Sequence, residues 1–474
     1  MSLLDSVFRY FPEIRKPAQK PIFSLKIKYT LGILVAFYLL SVIPLYGLGE
    51  NALAQFDQLS IILGASFGSV LSLGIGPIVT ASIVLQLLVG SGILKMDQTT
   101  QEGRAYFQGL QKLLSVFFIF FEACVYVFLG GLAPSAQLIG TSAYFSLQLL
   151  LVGQLILGGL LVLLMDDVVG KYGFGSGVSL FIAAGVASQI MVTALSPLTS
   201  LGSWAFGSGQ PPVGAFFVFF LSLIGGDPQT ALLAMVSILA TIFVFVISVY
   251  AQAMKVEIPL TFGRVRGFGF RWPLHFLYTS NIPVILVAAL MANIQLWARL
   301  LQNWGYPFLG SFQGQVPVSG LVTWVAAPQL LSNILTGSLS WVSLFNNDFT
   351  HAFVYMLFLV AGSVIFSLFW VQTSGMDANS QAKKIMASGL QIPGFRKDPR
   401  VIEHLLSRYI LPLTIMGGAA IGVLAATADL LGALSRGTGI LLAVMIIYRL
   451  YEDIAKHHMM DLHPALRKVM GGES

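Results

Sequence analysis

The stretch Leu73–Gly92 reads LGIGPIVTASIVLQLLVGSG, and Leu59–Ser72 before it is almost as apolar. Joined in one straight helix, the two would measure about 51 Å at about 1.5 Å per residue, against a bilayer hydrocarbon core of about 30 Å. The span must therefore break. Gly64, Gly68, Gly74 and Gly76 loosen the backbone, and Pro77 suits the first turn of a new helix, where its missing N–H would have no partner anyway. The break is expected just before Pro77. Lipid offers no hydrogen bonds, so a non-helical joint at membrane depth survives only where protein encloses it or where it lines a cavity. With four glycines before the proline and Asp57 and Gln58 at the outer end, the stretch reads as a cavity lining rather than a kinked packing helix.

The 474 residues are 56% hydrophobic and 10% charged, with a mean hydropathy of +0.83. Such a chain is a polytopic membrane protein. Met1–Lys28 is amphipathic and basic and lacks a short apolar run with a cleavage site, so no removable signal peptide is expected. Cys124 stands alone, which excludes intramolecular disulfides and cysteine-cluster metal sites. HExxH and Walker motifs are absent, and no catalytic residue, cofactor or metal is expected. His457, His458 and His463 read as a solvated end.

Runs long enough to span are Tyr29–Leu48, Leu73–Gly92, Leu113–Leu132, Phe145–Met165, Val178–Leu195, Ala231–Met254, Tyr278–Leu300, Ala352–Val371, Leu411–Ala428 and Gly439–Tyr451. Ala215–Ile224 and Leu321–Leu335 are too short or too interrupted to cross. An even number of spans puts both termini on one side. Assigning that side to the cytoplasm leaves only Arg299 and Arg436, of 26 Lys and Arg, outside, a strong orientation signal. The expected organisation is a cytoplasmic segment 1–28, a first five-helix half 29–196, an external loop 197–230, a second half 231–451 with basic loops 255–273 and 374–408, and a cytoplasmic tail 452–474. An odd number of spans per half inverts the second half relative to the first. The halves echo each other: Ile75, Pro77, Ile78, Val79 against Ile282, Pro283, Val284, Ile285, and Gly175, Ser176, Gly177, Val178 against Gly437, Thr438, Gly439, Ile440. Inverted repeats with broken elements at their interface build a central conduit.

Ile75 and Val79, like Val178 and Ile182, are four apart and share a helical face. Meeting at the pseudo-twofold centre, such faces form an aliphatic collar that coordinates no ion or sugar but closes a hole by dewetting. Glu122 is the one acidic residue deep inside a span and needs a polar partner, for which Thr80 and Asn281 are the candidates. The loops with Arg264, Arg266 and Arg271, and with Arg396 and Lys397, serve as topology anchors or as a surface for a polyanion such as RNA.

The motifs LGIGPIVTASIVLQLLVGSG, KYGFGSG, VEIPL (Val256–Leu260), SNIPVIL (Ser280–Leu286), ANIQLW (Ala292–Trp297), GFRK (Gly394–Lys397) and GALSRGTGILL (Gly432–Leu442) resemble the protein-conducting channel SecY over all ten spans, and Gly76 resembles the archaeal and eukaryotic branch. The resemblance implies an all-α fold of ten transmembrane helices, two inverted halves around an hourglass pore with a seam that opens to lipid. It implies a pore ring of Ile75, Val79, Val178, Ile182, Ile285 and Leu442, and a lateral-gate cluster of Thr80, Glu122 and Asn281. A plug half-helix at about 58–67 would include Gln58, Leu59, Ile61, Ile62, Leu63 and Gly64. Ribosome-binding loops would carry Arg264, Arg266, Arg396 and Lys397. The implied partners are the small subunits SecE (gamma) and Sec-beta, the ribosome with its rRNA, nascent secretory and membrane polypeptides with signal sequences, and the lipid bilayer of the plasma membrane. Two alternatives stay open on the residues alone. A secondary solute transporter shares inverted repeats, and an intramembrane protease would need a pair such as Asp166 and Asp167, which sit at a span end.

Overall fold

The computed structural model describes residues 14–15, 17, 21–51, 53, 64–94, 96, 100–199, 203–206, 210–262, 269–279, 282–314, 316–328, 330–335, 349–387, 390–391, 399–434 and 437–462. The principal helices are α1 (Phe23–Val42), α2 (Gly76–Gly90), α3 (Gln101–Phe128), α4 (Ser142–Tyr172), α5 (Gly177–Leu195), α6 (Pro228–Ala253), α7 (Ile282–Asn303), α8 (Phe349–Thr373), α9 (Pro399–Leu430) and α10 (Gly437–Leu462). Among the described residues, eight helices are long and apolar enough to cross a membrane. The two principal helices outside that set are α2, at 15 residues too short, and α10, whose second half carries Arg449, Glu452 and Asp453. The ten form two sets of five, α1–α5 and α6–α10.

Local chemistry sets the helix starts. The Thr100 hydroxyl accepts the Gly103 N–H at 3.1 Å ahead of α3. Asp227 does the same for Thr230 at 3.3 Å ahead of α6, with Pro228 opening the helix. Several ends lie away from the expected ones. The first span begins at Phe23 rather than Tyr29, because Lys26 sits 5.3 Å over the Phe174 ring and Thr30 accepts the Phe174 N–H at 3.1 Å, which holds this turn against the bundle. It ends at Val42, where Ile43 is extended ahead of Pro44. The final helix runs to Leu462, so 452–462 are helical rather than a free tail.

The basic loops differ most from expectation. Lys255–Phe262 (β3) and Gly269–His275 (β4) form an antiparallel hairpin in place of an irregular loop 255–273. Leu390–Gln391 (β7) then adds a third strand to β3, pairing Thr261 with Gln391. Segment 374–408 is likewise no extended loop: Ala378–Ala387 is helical, and 399–408 already belong to α9. Ala215–Ile224 is a ten-residue helix packed on α6, and Leu321–Leu335 contains the short helices Leu321–Val325 and Leu330–Leu335.

Close helix contacts rely on small residues. A Cβ on Gly158 of α4 would fall 1.9 Å from the Val70 carbonyl oxygen, whereas one on Gly153 of the same helix would meet nothing within 4 Å. Gly158→Ala is therefore expected to destabilise the protein by about 1–3 kcal/mol. The check is a lowered thermal unfolding midpoint of the purified protein in detergent, with Gly153→Ala unchanged or slightly raised.

Candidate functional site

The break in the second span is where the sequence places it. Helix α2 starts at Gly76 with Pro77 in its first turn, and Ile75 is its N-cap residue. Residues 64–75 ahead of it are turns, so 64–67 are not part of a plug helix, while Gln58, Leu59, Ile61, Ile62 and Leu63 lie outside the described residues. Gly64, at φ +51°, rests on the break: a Cβ there would stand 3.6 Å from Ile75 and 3.7 Å from Phe181.

Ile75, Val79, Ile182, Ile285 and Leu442 belong to one buried apolar cluster, with Val178 packed against it. They come from four helices, α2, α5, α7 and α10. A cavity of about 570 Å³ opens on one side of this cluster. Val79, Val178 and Ile285 line it, whereas Ile75, Ile182 and Leu442 lie beneath with 0% of their surface exposed. Three of the six thus face the cavity, and three form a closed layer behind them. Gly64 adjoins Ile75 of that closed layer. The upper wall is polar, with Arg104, Gln111, Arg449 and Asp453 among its residues.

Beside the ring, three side chains join across helices. Thr80 Oγ1 donates to the Gly76 carbonyl at 2.8 Å and lies 3.1 Å from Glu122 Oε1, and Asn293 Nδ2 donates to Thr80 at 3.0 Å. Glu122 and Asn293 are buried, at 2% and 8% exposure. Asn293 is a member of this cluster that the sequence reading did not name, and Asn281, which it did name, lies outside the described residues. The missed signal is in the motif ANIQLW, where Asn293 and Gln295 are amides inside an otherwise apolar span, and buried membrane polar groups call for partners. Nearby, Phe121 of α3 stacks on Trp297 of α7 at 5.6 Å, and a Cβ on Gly90 of α2 would meet the Phe369 ring of α8 at 2.4 Å. Helices α2 and α3 therefore meet α7 and α8 along a seam, in which the described residues show no backbone–backbone hydrogen bond. Arg264 and Arg266 fall in 263–268, between β3 and β4 in sequence, and Arg396 and Lys397 in 392–398; both stretches lie outside the described residues.

The model of the SecY family matches residues 69–451. This chain belongs to the SecY family. The protein translocase subunit SecY of Methanothermobacter thermautotrophicus is 43% identical over 473 residues, covering 98% of both chains. That of Methanocaldococcus jannaschii is 41% identical over 470 residues, covering 99% of this chain and all of the relative. A solved structure described as that of a protein conducting channel superposes with a TM-score of 0.81 at 40% identity, over 98% of this chain and 100% of the other. Sec61 in the canine ribosome-channel complex from the endoplasmic reticulum gives 0.78 at 40% identity, with the same coverage. The ten-helix SecY architecture accounts for the short α2 and the charged α10 as spans.

In this SecY chain the Asn293 amide is the hydrogen bond joining α2 to α7. Asn293→Leu removes it and leaves the half-buried Thr80 hydroxyl without that donor, a loss of about 1–3 kcal/mol at the seam. Faster hydrogen–deuterium exchange over Gly76–Gly90 than in the parent protein is the expected reading.

Proposed function

We propose that this chain is the central, pore-forming subunit of a protein translocation channel, passing unfolded secretory polypeptides across the membrane and releasing hydrophobic segments sideways into lipid. The observation that carries this reading is the aliphatic ring, with three members facing the cavity and three closed behind them. Hydrocarbon side chains make no directed hydrogen bonds, so they yield to any passing residue and reseal by excluding water. A solute transporter needs coordinating groups at the bilayer midplane, and the ring offers none. The chain works as a conduit rather than a catalyst. The plug implied at about 58–67 is read as the cover of the closed layer, a reading supported by Gly64, which lies beside Ile75.

The seam of α2 and α3 with α7 and α8 is the lateral gate, with Thr80, Glu122 and Asn293 as its polar cluster. Its lipid sorting follows transfer energies. A central Leu favours the bilayer by about 0.3–0.6 kcal/mol and a Lys or Asp opposes entry by about 2.5–3.5 kcal/mol, so one or two charges cancel a ten-residue apolar run. The excess of Lys and Arg at one end supports a plasma-membrane protein with both termini in the cytoplasm. The cavity is then the cytoplasmic funnel.

The family resemblance supports SecE and Sec-beta as partners. The loops carrying Arg264, Arg266, Arg396 and Lys397 dock the ribosome. Two facts support this: strands of one sheet, in the order β4-β3-β7, adjoin both stretches in sequence, and the similar Sec61 is described in a ribosome-channel complex.

Ile75→Ser combined with Ile285→Ser is expected to let small ions through the resting channel, measured as conductance in planar bilayers. Parental conductance would remove the ring assignment. Arg396→Glu with Lys397→Glu is expected to weaken ribosome binding and to flatten its salt dependence by about one unit of slope per lost phosphate contact. Binding titrations across salt concentrations check this, and equal affinity returns the loops to topology anchors.

A further inference from the structure

We propose that Asp166 and Asp429 are a pseudo-symmetric pair of positioning residues that hold the ring-bearing helices α5 and α10 in axial register. The proposal rests on the ring reading above. Asp166 lies near the end of α4, and its Oδ1 accepts the Val178 N–H at 3.0 Å, with the Gly177 N–H and the Ser176 hydroxyl on the same carboxylate. Asp429 lies near the end of α9. Its Oδ1 accepts the Thr438 N–H at 3.1 Å and the Thr438 hydroxyl at 3.4 Å, while Oδ2 accepts the Tyr355 hydroxyl of α8 at 2.5 Å. In each half, then, the fourth helix sends an aspartate to the first turn of the fifth.

The two sites have similar sequences. Gly175, Ser176, Gly177 and Val178 resemble Gly437, Thr438, Gly439 and Ile440, and in each a hydroxyl residue between glycines reaches the carboxylate. The bonded N–H groups, of Val178 and Thr438, stand two places apart in that match, but each belongs to the second residue of its helix. The first turns of these helices hold or adjoin the ring. Val178 is the second residue of α5 with Ile182 one turn on, and Leu442 lies one turn past Thr438.

A helix that starts beside the pore axis leaves its first N–H groups inside protein, away from headgroup water. A carboxylate at that positive end satisfies them and is itself stabilised by the helix dipole. The cap also fixes position. A slip of one residue moves a helix by about 1.5 Å along its axis and rotates its side chains by about 100°, enough to take Ile182 or Leu442 out of the ring. At α5 the approach is close: a Cβ on Gly177 would stand 2.6 Å from Asp166 Cα, so this contact admits no side chain. At α10 the Tyr355 bond adds α8, so the same carboxylate ties a gate helix to a ring helix.

The test measures the resting ion conductance of the assembled channel in planar bilayers for Asp166→Ala, Asp429→Ala, the matching Asn variants and Ile285→Ser. Asn keeps an oxygen acceptor for the helix N–H. The Ala variants are expected to leak several-fold more than the parent, and the Asn variants to stay near it, a rescue that mere loss of packing would not give. Ala variants as tight as the parent, beside a leaking Ile285→Ser, overturn this proposal and leave the ring standing. A tight Ile285→Ser overturns the ring reading itself. If the Ala variants fail to assemble, Tyr355→Phe decides. It keeps the carboxylate and removes one donor, so raised conductance supports the proposal and parental conductance overturns it.

Discussion

A backbone that leaves the helix at membrane depth must find every hydrogen bond within the protein, and the turns ahead of α2 obey this constraint. The Leu45 N–H donates to the Gly68 carbonyl at 2.9 Å, and the Val70 N–H to the Ile43 carbonyl at 3.0 Å. The Ser72 hydroxyl accepts the Gly68 N–H at 2.9 Å, and the Ser66 hydroxyl donates to the Ser41 carbonyl at 3.0 Å. The break is thus enclosed by the chain after α1 and by the face of α4 that carries Gly158. Because α2 starts there, Ile75 lies at a helix origin in the interior, and the rest of the ring is arranged around it.

The two halves meet in two different ways. On one side α10 packs against α5 and α6, and the chain itself links α5 to α6. On the other, α2 and α3 meet α7 and α8 through buried apolar side chains, with one amide hydrogen bond, one aromatic stack and a glycine against a phenyl ring among the contacts, and no covalent link joins the halves there. The second half is by contrast tightly joined within itself, since Gly418 and Gly422 of α9 bring it to backbone distance from Ser363 and Val360 of α8.

The break was legible because glycine, proline and excess length act locally, and spacing together with the family motifs picked out six residues that share one buried cluster. Of the two partners expected for Glu122, Thr80 lies beside it and Asn281 falls outside the described residues. The Asn293 bond to Thr80 was not legible, because it depends on the packing of α7 against α2. The hairpin had a local signal that went unused, the alternation of Val256, Ile258, Leu260 and Phe262 with Glu257, Pro259 and Thr261. Its third strand did not, because β7 lies more than a hundred residues away in the chain. The aspartate caps were visible only as acidic residues at span ends, since nothing in the local sequence says which N-terminus each one faces.

The three-stranded sheet also has a mechanical meaning. Strand β3 continues from α6, β4 leads into α7, and β7 lies between α8 and α9, so four helices of one half are rooted in a single rigid plate. A large body gripping that plate holds those four as a unit. Torque applied there turns one half of the molecule against the other rather than bending any single helix, and the strain gathers where the halves merely touch.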